Sequence, residues 1–201
     1  NFPTFMSDGS GGGYFCWYTT GPLQCWLQRV NDAGAVMYGA NGVAVTTTAT
    51  NERVSPSMTV GPDGKAYVFW SEHVPNSSIY GTYGQCFVKG VRQWGDLGTA
   101  VEPLSTTYSR TWATAGIAGS TILCFYDDSP SGVQDNIRCA ALGAGGGVTW
   151  RKDLAVNTGV KYRLASSRTQ DNGCVLAWQG GITIGASDLF ASRIDDQGAI
   201  G

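Results

Sequence analysis

The sequence predicts an all-β fold made of four consecutive antiparallel sheets, and three observations predict it. One pattern returns about every 53 residues through the chain, and a period of that length rich in strand formers marks blades or stacked arrays. Turn dipeptides Asp8-Gly9, Asp63-Gly64 and Asn172-Gly173 stand at matching places between a small, semi-polar run and a strongly apolar one, a hairpin signal. Helical spacing never outlasts one turn, and Gly and Pro interrupt the chain too often for helices.

Each repeat reads as four short strands. The first is small and semi-polar: Pro3 to Met6, Pro56 to Val60, Ala113 to Ile117 and Ser166 to Thr169. The second is the most apolar and ends on an aromatic, Trp17, Trp70, Tyr126 or Trp178. The third alternates, as in Cys25-Trp26-Leu27-Gln28-Arg29-Val30, and a Gly-containing turn follows it. The fourth carries Tyr38, Trp94 or Trp150. Small residues first and large ones next suit a β-propeller, whose inner strands crowd the axis while middle strands pack blade against blade. The blades fall at approximately 1–52, 53–109, 110–162 and 163–201. The last is expected to lack its outer strand, because the aromatic due four residues after Gly198 lies past Gly201. The expectation is therefore a segment of a larger propeller or array, or a chain whose open edge pairs with another molecule.

Composition excludes several functions. Charged residues make up 14% with a net charge of −2 and no Lys/Arg run, so the basic footprint that nucleic acid requires is missing. No stretch reaches the ~18 apolar residues of a membrane span. A neutral polar surface of Ser, Thr, Gly, Asn and Gln is expected of a secreted or cell-surface β protein. Six cysteines form no CxxC and His73 is the single histidine, so neither a metal site nor any cofactor is expected. Cys16 and Cys25 lie on consecutive strands, as do Cys124 and Cys139. Each pair is a possible cross-strand disulfide or a pair of buried free thiols.

The Asp-Gly or Asn-Gly turn, the apolar strand ending in Trp, and the later Gly90 to Trp94 and Gly146 to Trp150 spacing resemble bacterial secreted β-propeller repeats, the group containing Asp-box (sialidase-type) and lectin-like propellers. The run Gly143 to Trp150 keeps the Gly-x-Thr-Trp end of an Asp-box and lacks its Ser and Asp. The resemblance implies architecture rather than an activity.

Arg53, Arg110 and Arg163 precede the inner strands of the second, third and fourth repeats, so a propeller brings them toward one mouth of its channel. Forked guanidiniums there would grip a carboxylate or sulfate, as sialidases do with three arginines; the structural alternative is that each pairs with an acid or backbone nearby. Tyr108 and Tyr162 stand beside two of them, and Trp112 interrupts a run of small residues, as a sugar-stacking ring or a core residue. Glycoside cleavage needs two carboxyls ~5–9.5 Å apart. The inner strands carry none, and Glu72, Asp127 and Asp128, just past the second strands, read as solvated. No nucleophile–base pair stands out. The sequence thus favours an extracellular binding or interaction scaffold over an enzyme, with a glycan or partner protein held by loops at a blade end. The alternatives are a sialidase- or glycosidase-like hydrolase with an arginine clamp, and a structural surface or filament subunit assembling through open strand edges.

Overall fold

The computed structural model describes residues 3–48, 50–130, 134–183 and 185–201, and among them every named element is a β-strand. The first sheet runs β1 (Thr4–Ser7), β2 (Gly13–Thr20), β3 (Leu23–Val30), β4 (Val43–Ala44). The second runs β5 (Glu52–Val60), β6 (Ala66–His73), β7 (Tyr80–Val88), β8 (Val91–Arg92), with β9 (Thr99–Ser105) also paired to β7. The third holds β10 (Tyr108–Ala118), β11 (Thr121–Pro130), β12 (Ile137–Leu142) and β13 (Val148–Ala155). The fourth has three strands, β14 (Val160–Arg168), β15 (Cys174–Thr183) and β16 (Ala186–Ile194), with Ile200 bridging to Ile194. Within each sheet consecutive strands are antiparallel neighbours, except that β9 returns to pair with β7.

The sheets stack face to face through three apolar cores. Cys16 and Leu27 of the first meet Met58, Val68, Trp70 and Phe87 of the second. Tyr67, Phe69 and Trp94 of the second meet Ile117, Ile122 and Tyr126 of the third. Leu123, Phe125 and Ile137 of the third meet Leu176, Trp178 and Ile194 of the fourth. Strand alternation explains why β6 from Ala66 to Trp70 and β11 from Ile122 to Tyr126 are apolar on both faces: each presents one set of side chains to the blade before and the other to the blade after.

The fourth strands depart from the sequence expectation. Tyr38 and Trp94 lie outside strands, whereas Trp150 sits in β13. A side-chain amide accounts for the difference. Gln28 Oε1 accepts the Tyr38 N–H at 2.9 Å and Gln28 Nε2 donates to Gly39 O at 2.7 Å. Gln85 does the same for Trp94 N–H (2.8 Å) and Gly95 O (2.7 Å). The amide takes the hydrogen bonds a strand neighbour would offer, so the outer strand of the second blade is split into β8 and β9. In the third blade the residue in the place of Gln85 is Ala140, which has no amide to interpose, and Trp150 pairs within the sheet with Ala141.

Inside a strand or out of it, each outer aromatic rests on the next blade's turn glycine. A Cβ on Gly90 would come within 2.8 Å of the Tyr38 ring, and one on Gly146 within 2.7 Å of the Trp94 ring. Trp150 stands in the same relation to Gly198, at 3.4 Å. The three glycines have φ of 81°, 84° and 82°, so both the turn and the approaching ring exclude a side chain. This is the physical content of the Gly-to-Trp spacing.

Of the two readings of the cysteines the structure has the free thiols: all six are unbridged and buried. Phe125 is paired with Cys139 and Cys124 with Ala140, so Cys124 and Cys139 point to opposite faces of their sheet. Cys16 is paired with Leu27 and Tyr18 with Cys25. Cys16 and Cys25 share a face but lie on a diagonal, roughly 7–8 Å apart at Cα, at or beyond the span a disulfide bridges. Burial pushes the Cys16 thiol up to about 12 and Cys25, Cys124 and Cys139 well above the ordinary thiol value, which keeps them unreactive.

Hydroxyls tie the inner strands together around the axis. Thr4 Oγ1 donates to Pro56 O at 3.5 Å, Ser57 Oγ accepts the Ala115 N–H at 3.0 Å, and Ser166 Oγ donates to Ala115 O. Ser57→Ala leaves the Ala115 N–H without its acceptor and is expected to cost about 1 kcal/mol. Chemical denaturation of the variant checks this, and an unchanged midpoint would remove the tie from the account.

Candidate functional site

Three inner strands carry the same irregularity at the same place. Pairing jumps from Val54 to Ser57 in β5, from Thr111 to Thr114 in β10, and from Tyr162 to Ala165 in β14. In each case two residues face the single bulky aromatic that ends the apolar run of the second strand: Trp70, Tyr126 or Trp178. The first residue of each bulge is left-handed, Ser55 at φ 53°, Trp112 at 56° and Arg163 at 55°. A side-chain-bearing residue held there costs on the order of 1–3 kcal/mol, and such bulges recur where a side chain is re-aimed toward a site.

The three re-aimed residues line one cavity. It measures about 310 Å³ and is walled by Thr4, Ser55, Pro56, Ser57, Trp112, Ala113, Thr114, Arg163 and Leu164, contributed by the inner strands of all four sheets. It is therefore axial. Trp112 is 49% exposed, so its ring is not a core residue. The wall holds hydroxyls, one indole and one guanidinium, and no carboxylate. A second cavity follows along the same strands, lined by Met6, Thr59, Ile117, Ser166, Ser167 and Arg168 among others, again without a carboxylate.

The arginines named from the sequence separate. Arg53 is 2% exposed, donates to Glu72 Oε1 at 3.0 Å and to the Thr48 and Asn51 carbonyls, and does not line the axial cavity. Arg110 also lies outside its wall, donating to Asp128 Oδ1 at 3.0 Å with Glu102 Oε2 at 3.6 Å and its guanidinium 5.2 Å over the Tyr108 ring. Arg163 alone of the three reaches the cavity; it donates to Gln179 Oε1 at 3.1 Å and lies 5.8 Å over the Tyr162 ring. Tyr162 shares a 2.8 Å hydroxyl contact with Ser187.

Register shows why the arginines separate. Arg53 is paired with Glu72 and Arg110 with Asp128, but the fourth-blade residue in that place is Lys161, paired with Gly180. Arg163 stands two residues on, equivalent to Ser55 and Trp112. Spacing to the strand aromatic held this signal: Lys161 and Arg53 each precede it by 17 residues, Arg163 by only 15.

The acids expected to be solvated are buried instead, because β6 and β11 run on past Trp70 and Tyr126. Glu72 and Asp127 are 4% exposed and Asp128 is 1%. Glu72 and Asp128 are ion-paired, Asp128 also accepting from Arg138 Nη1 at 2.7 Å. Asp127 differs, since its Oδ1 is buried with no hydrogen-bond partner among the described residues. Burial, then the nearby Asp135 and Asp128 charges, push its carboxyl up to about 8 against the opposing pull of Lys161. His73 belongs elsewhere: Nδ1 contacts Glu52 Oε2 and Nε2 contacts Ser77 O, each at 2.7 Å, and its ring stacks on Tyr80.

Structural neighbours fit this geometry. An endo-arabinase from Bacteroides thetaiotaomicron superposes over 96% of this chain and 74% of its own, with TM-score 0.65 and 11% identity. A Bacillus subtilis arabinanase covers 98% and 75%, with TM-score 0.59 and 13% identity. The fold is a β-propeller. An exo-β-1,3-galactanase from Phanerochaete chrysosporium is similar over 99% of this chain but only 48% of its own length, with TM-score 0.61 and 10% identity. At such identities the likeness establishes architecture and nothing finer. No family model matches the sequence, and no curated protein does.

Proposed function

We propose that this protein engages a carbohydrate in its axial cavity. The observation that carries the reading is Trp112, a half-exposed indole held in a left-handed conformation among the hydroxyls of Thr4, Ser55, Ser57 and Thr114. A flat apolar ring beside hydrogen-bonding hydroxyls is the chemistry that receives the C–H face and the O–H groups of a sugar. The neighbours support a carbohydrate ligand, since all three carry the names of glycan-degrading enzymes. An external glycan as ligand agrees with a secreted or surface protein whose exterior is polar and weakly charged. The lectin-like branch of the propeller resemblance is the part of it this reading keeps; a partner protein or assembly through strand edges gains no support from the neighbours.

A second reading, hydrolysis, is the one the neighbours favour over simple binding. Cleavage takes a proton donor and a second carboxyl flanking the bond, and the cavity wall supplies neither. The carboxyl best suited to donate is Asp127, which stays protonated near neutrality and is paired with Thr111, the residue before Trp112. Titration with arabinan-, galactan- and xylan-derived oligosaccharides, followed by an assay of reducing ends, separates the readings. Trp112→Ala is expected to weaken binding at least tenfold, about 1.4 kcal/mol. Sugar release that Asp127→Asn abolishes would make hydrolysis the function. Binding unaffected by Trp112→Ala would remove the axial site.

A further inference from the structure

We propose that the axial cavity selects a carboxylate-bearing sugar, a uronate unit, with Arg163 as its anion anchor; this rests on the carbohydrate reading above. The argument starts from charge. Among the described residues Arg53 and Arg110 each have a carboxylate within ion-pair distance, whereas the contacts of Arg163 are the Gln179 amide oxygen and the Tyr162 ring. The cause is local: Glu72 and Asp128 occupy the counter-charge place in their blades, and Gly180 occupies it in the fourth. A guanidinium has five N–H donors, so an arginine with one hydrogen-bond acceptor retains a fork for a ligand.

The surroundings agree. Among the described residues Arg163 is the only charged one in the cavity wall, and Arg168, which donates to Asn172 Oδ1 at 2.7 Å, is the only one in the wall of the next cavity along the axis. In a chain of net charge −2 the described walls of these two cavities thus carry two cations and no anion. A cation unopposed by a carboxylate at a concave wall attracts anions and repels cations. Backbone conformation adds an independent point. The left-handed place held by Arg163 favours Gly or Asn, and an arginine there aims a cation into the same space as the Trp112 ring. An indole face and a forked cation together match a sugar ring bearing a planar carboxylate, which takes two parallel N–H bonds from one guanidinium.

The test compares three ligands by calorimetric titration at low salt: an oligogalacturonide, the same oligosaccharide with its carboxyls reduced to alcohols, and a neutral galactan oligosaccharide. Wild type is expected to bind the acidic form at least tenfold more tightly than its reduced counterpart, a comparison that needs no variant. Arg163→Gln is expected to abolish that preference, so that the acidic and reduced forms bind alike, and Arg163→Lys to keep part of it, since the charge remains and the fork is lost. Trp112→Ala is expected to weaken all three ligands. Equal affinity of wild type for the acidic and reduced forms overturns the proposal and leaves the carbohydrate reading intact, as does a preference that survives Arg163→Gln. A sulfated form of the galactan oligosaccharide, titrated as a fourth ligand, overturns the carboxylate assignment if it binds more tightly than the uronate. Failure to bind any of the sugars removes the carbohydrate reading itself and the proposal with it.

Discussion

Glu72→Ala is expected to lower the unfolding free energy by about 3–5 kcal/mol, the range for removing one partner of a buried ion pair. The Arg53 and Glu72 side chains are 3% and 6% exposed, so neither charge has water to fall back on. Glu72 also accepts the Trp70 indole N–H at 2.7 Å and the Asn51 amide at 3.0 Å. Its loss therefore strands a guanidinium, whose Nε is already without a partner, and a buried indole donor together. The double variant Arg53→Met/Glu72→Leu removes both charges and is expected to recover the part of the loss due to the stranded guanidinium, leaving that of the Trp70 indole without its acceptor. Urea unfolding of wild type, single and double variants decides it. A single variant less than about 1 kcal/mol below wild type would mean the pair is effectively hydrated.

Asp127 gives the largest expected pH dependence. Its carboxyl lies near 8 in the folded chain against an ordinary 3.8, chiefly because it is buried. The folded state therefore holds a proton that the unfolded state releases. The contribution is full below about pH 4 and is lost as pH rises toward 8. The loss is on the order of 5 kcal/mol, since each tenfold difference in acidity between the two states corresponds to about 1.4 kcal/mol. Asp127→Asn keeps the shape and removes the titration. Urea midpoints of wild type and variant should lie close together near pH 4 and diverge steadily up to pH 8, with the variant the more stable. Parallel curves over that range would show that another group is responsible.

The repeat, the turns and the apolar second strands were legible because each is written in local residues: Asp63-Gly64 makes its turn without help, and Tyr67 to Trp70 is apolar on both faces. The outer strands were less so. Whether Trp94 joins a sheet depends on the Gln85 amide nine residues earlier, a contact that strand propensity does not register. The axial site was legible in part. Trp112 stood out as a large residue among small ones, and Arg163 was picked out with a wrong equivalence. The arginines themselves lie 57 and 53 residues apart, so following the residue type from one repeat to the next, instead of the distance to the strand aromatic, placed Arg163 alongside Arg53 when Lys161 belongs there. The burial of Asp127 was not legible because it follows from β11 continuing to Pro130 with the fourth blade packed against it.

The seating of each outer aromatic on its neighbour's turn glycine bears on how the protein comes together in time. Tyr38 reaches Gly90 and Trp94 reaches Gly146, each spanning 52 residues, so the linkage passes only from one repeat to the following one. A chain wired in this way assembles as a row of adjoining units, in which a formed blade offers the next one a ready surface and no contact has to wait for distant sequence. Loop closure for each such step is that of about fifty residues, whatever the number of blades, which keeps the entropic barrier constant as the row grows.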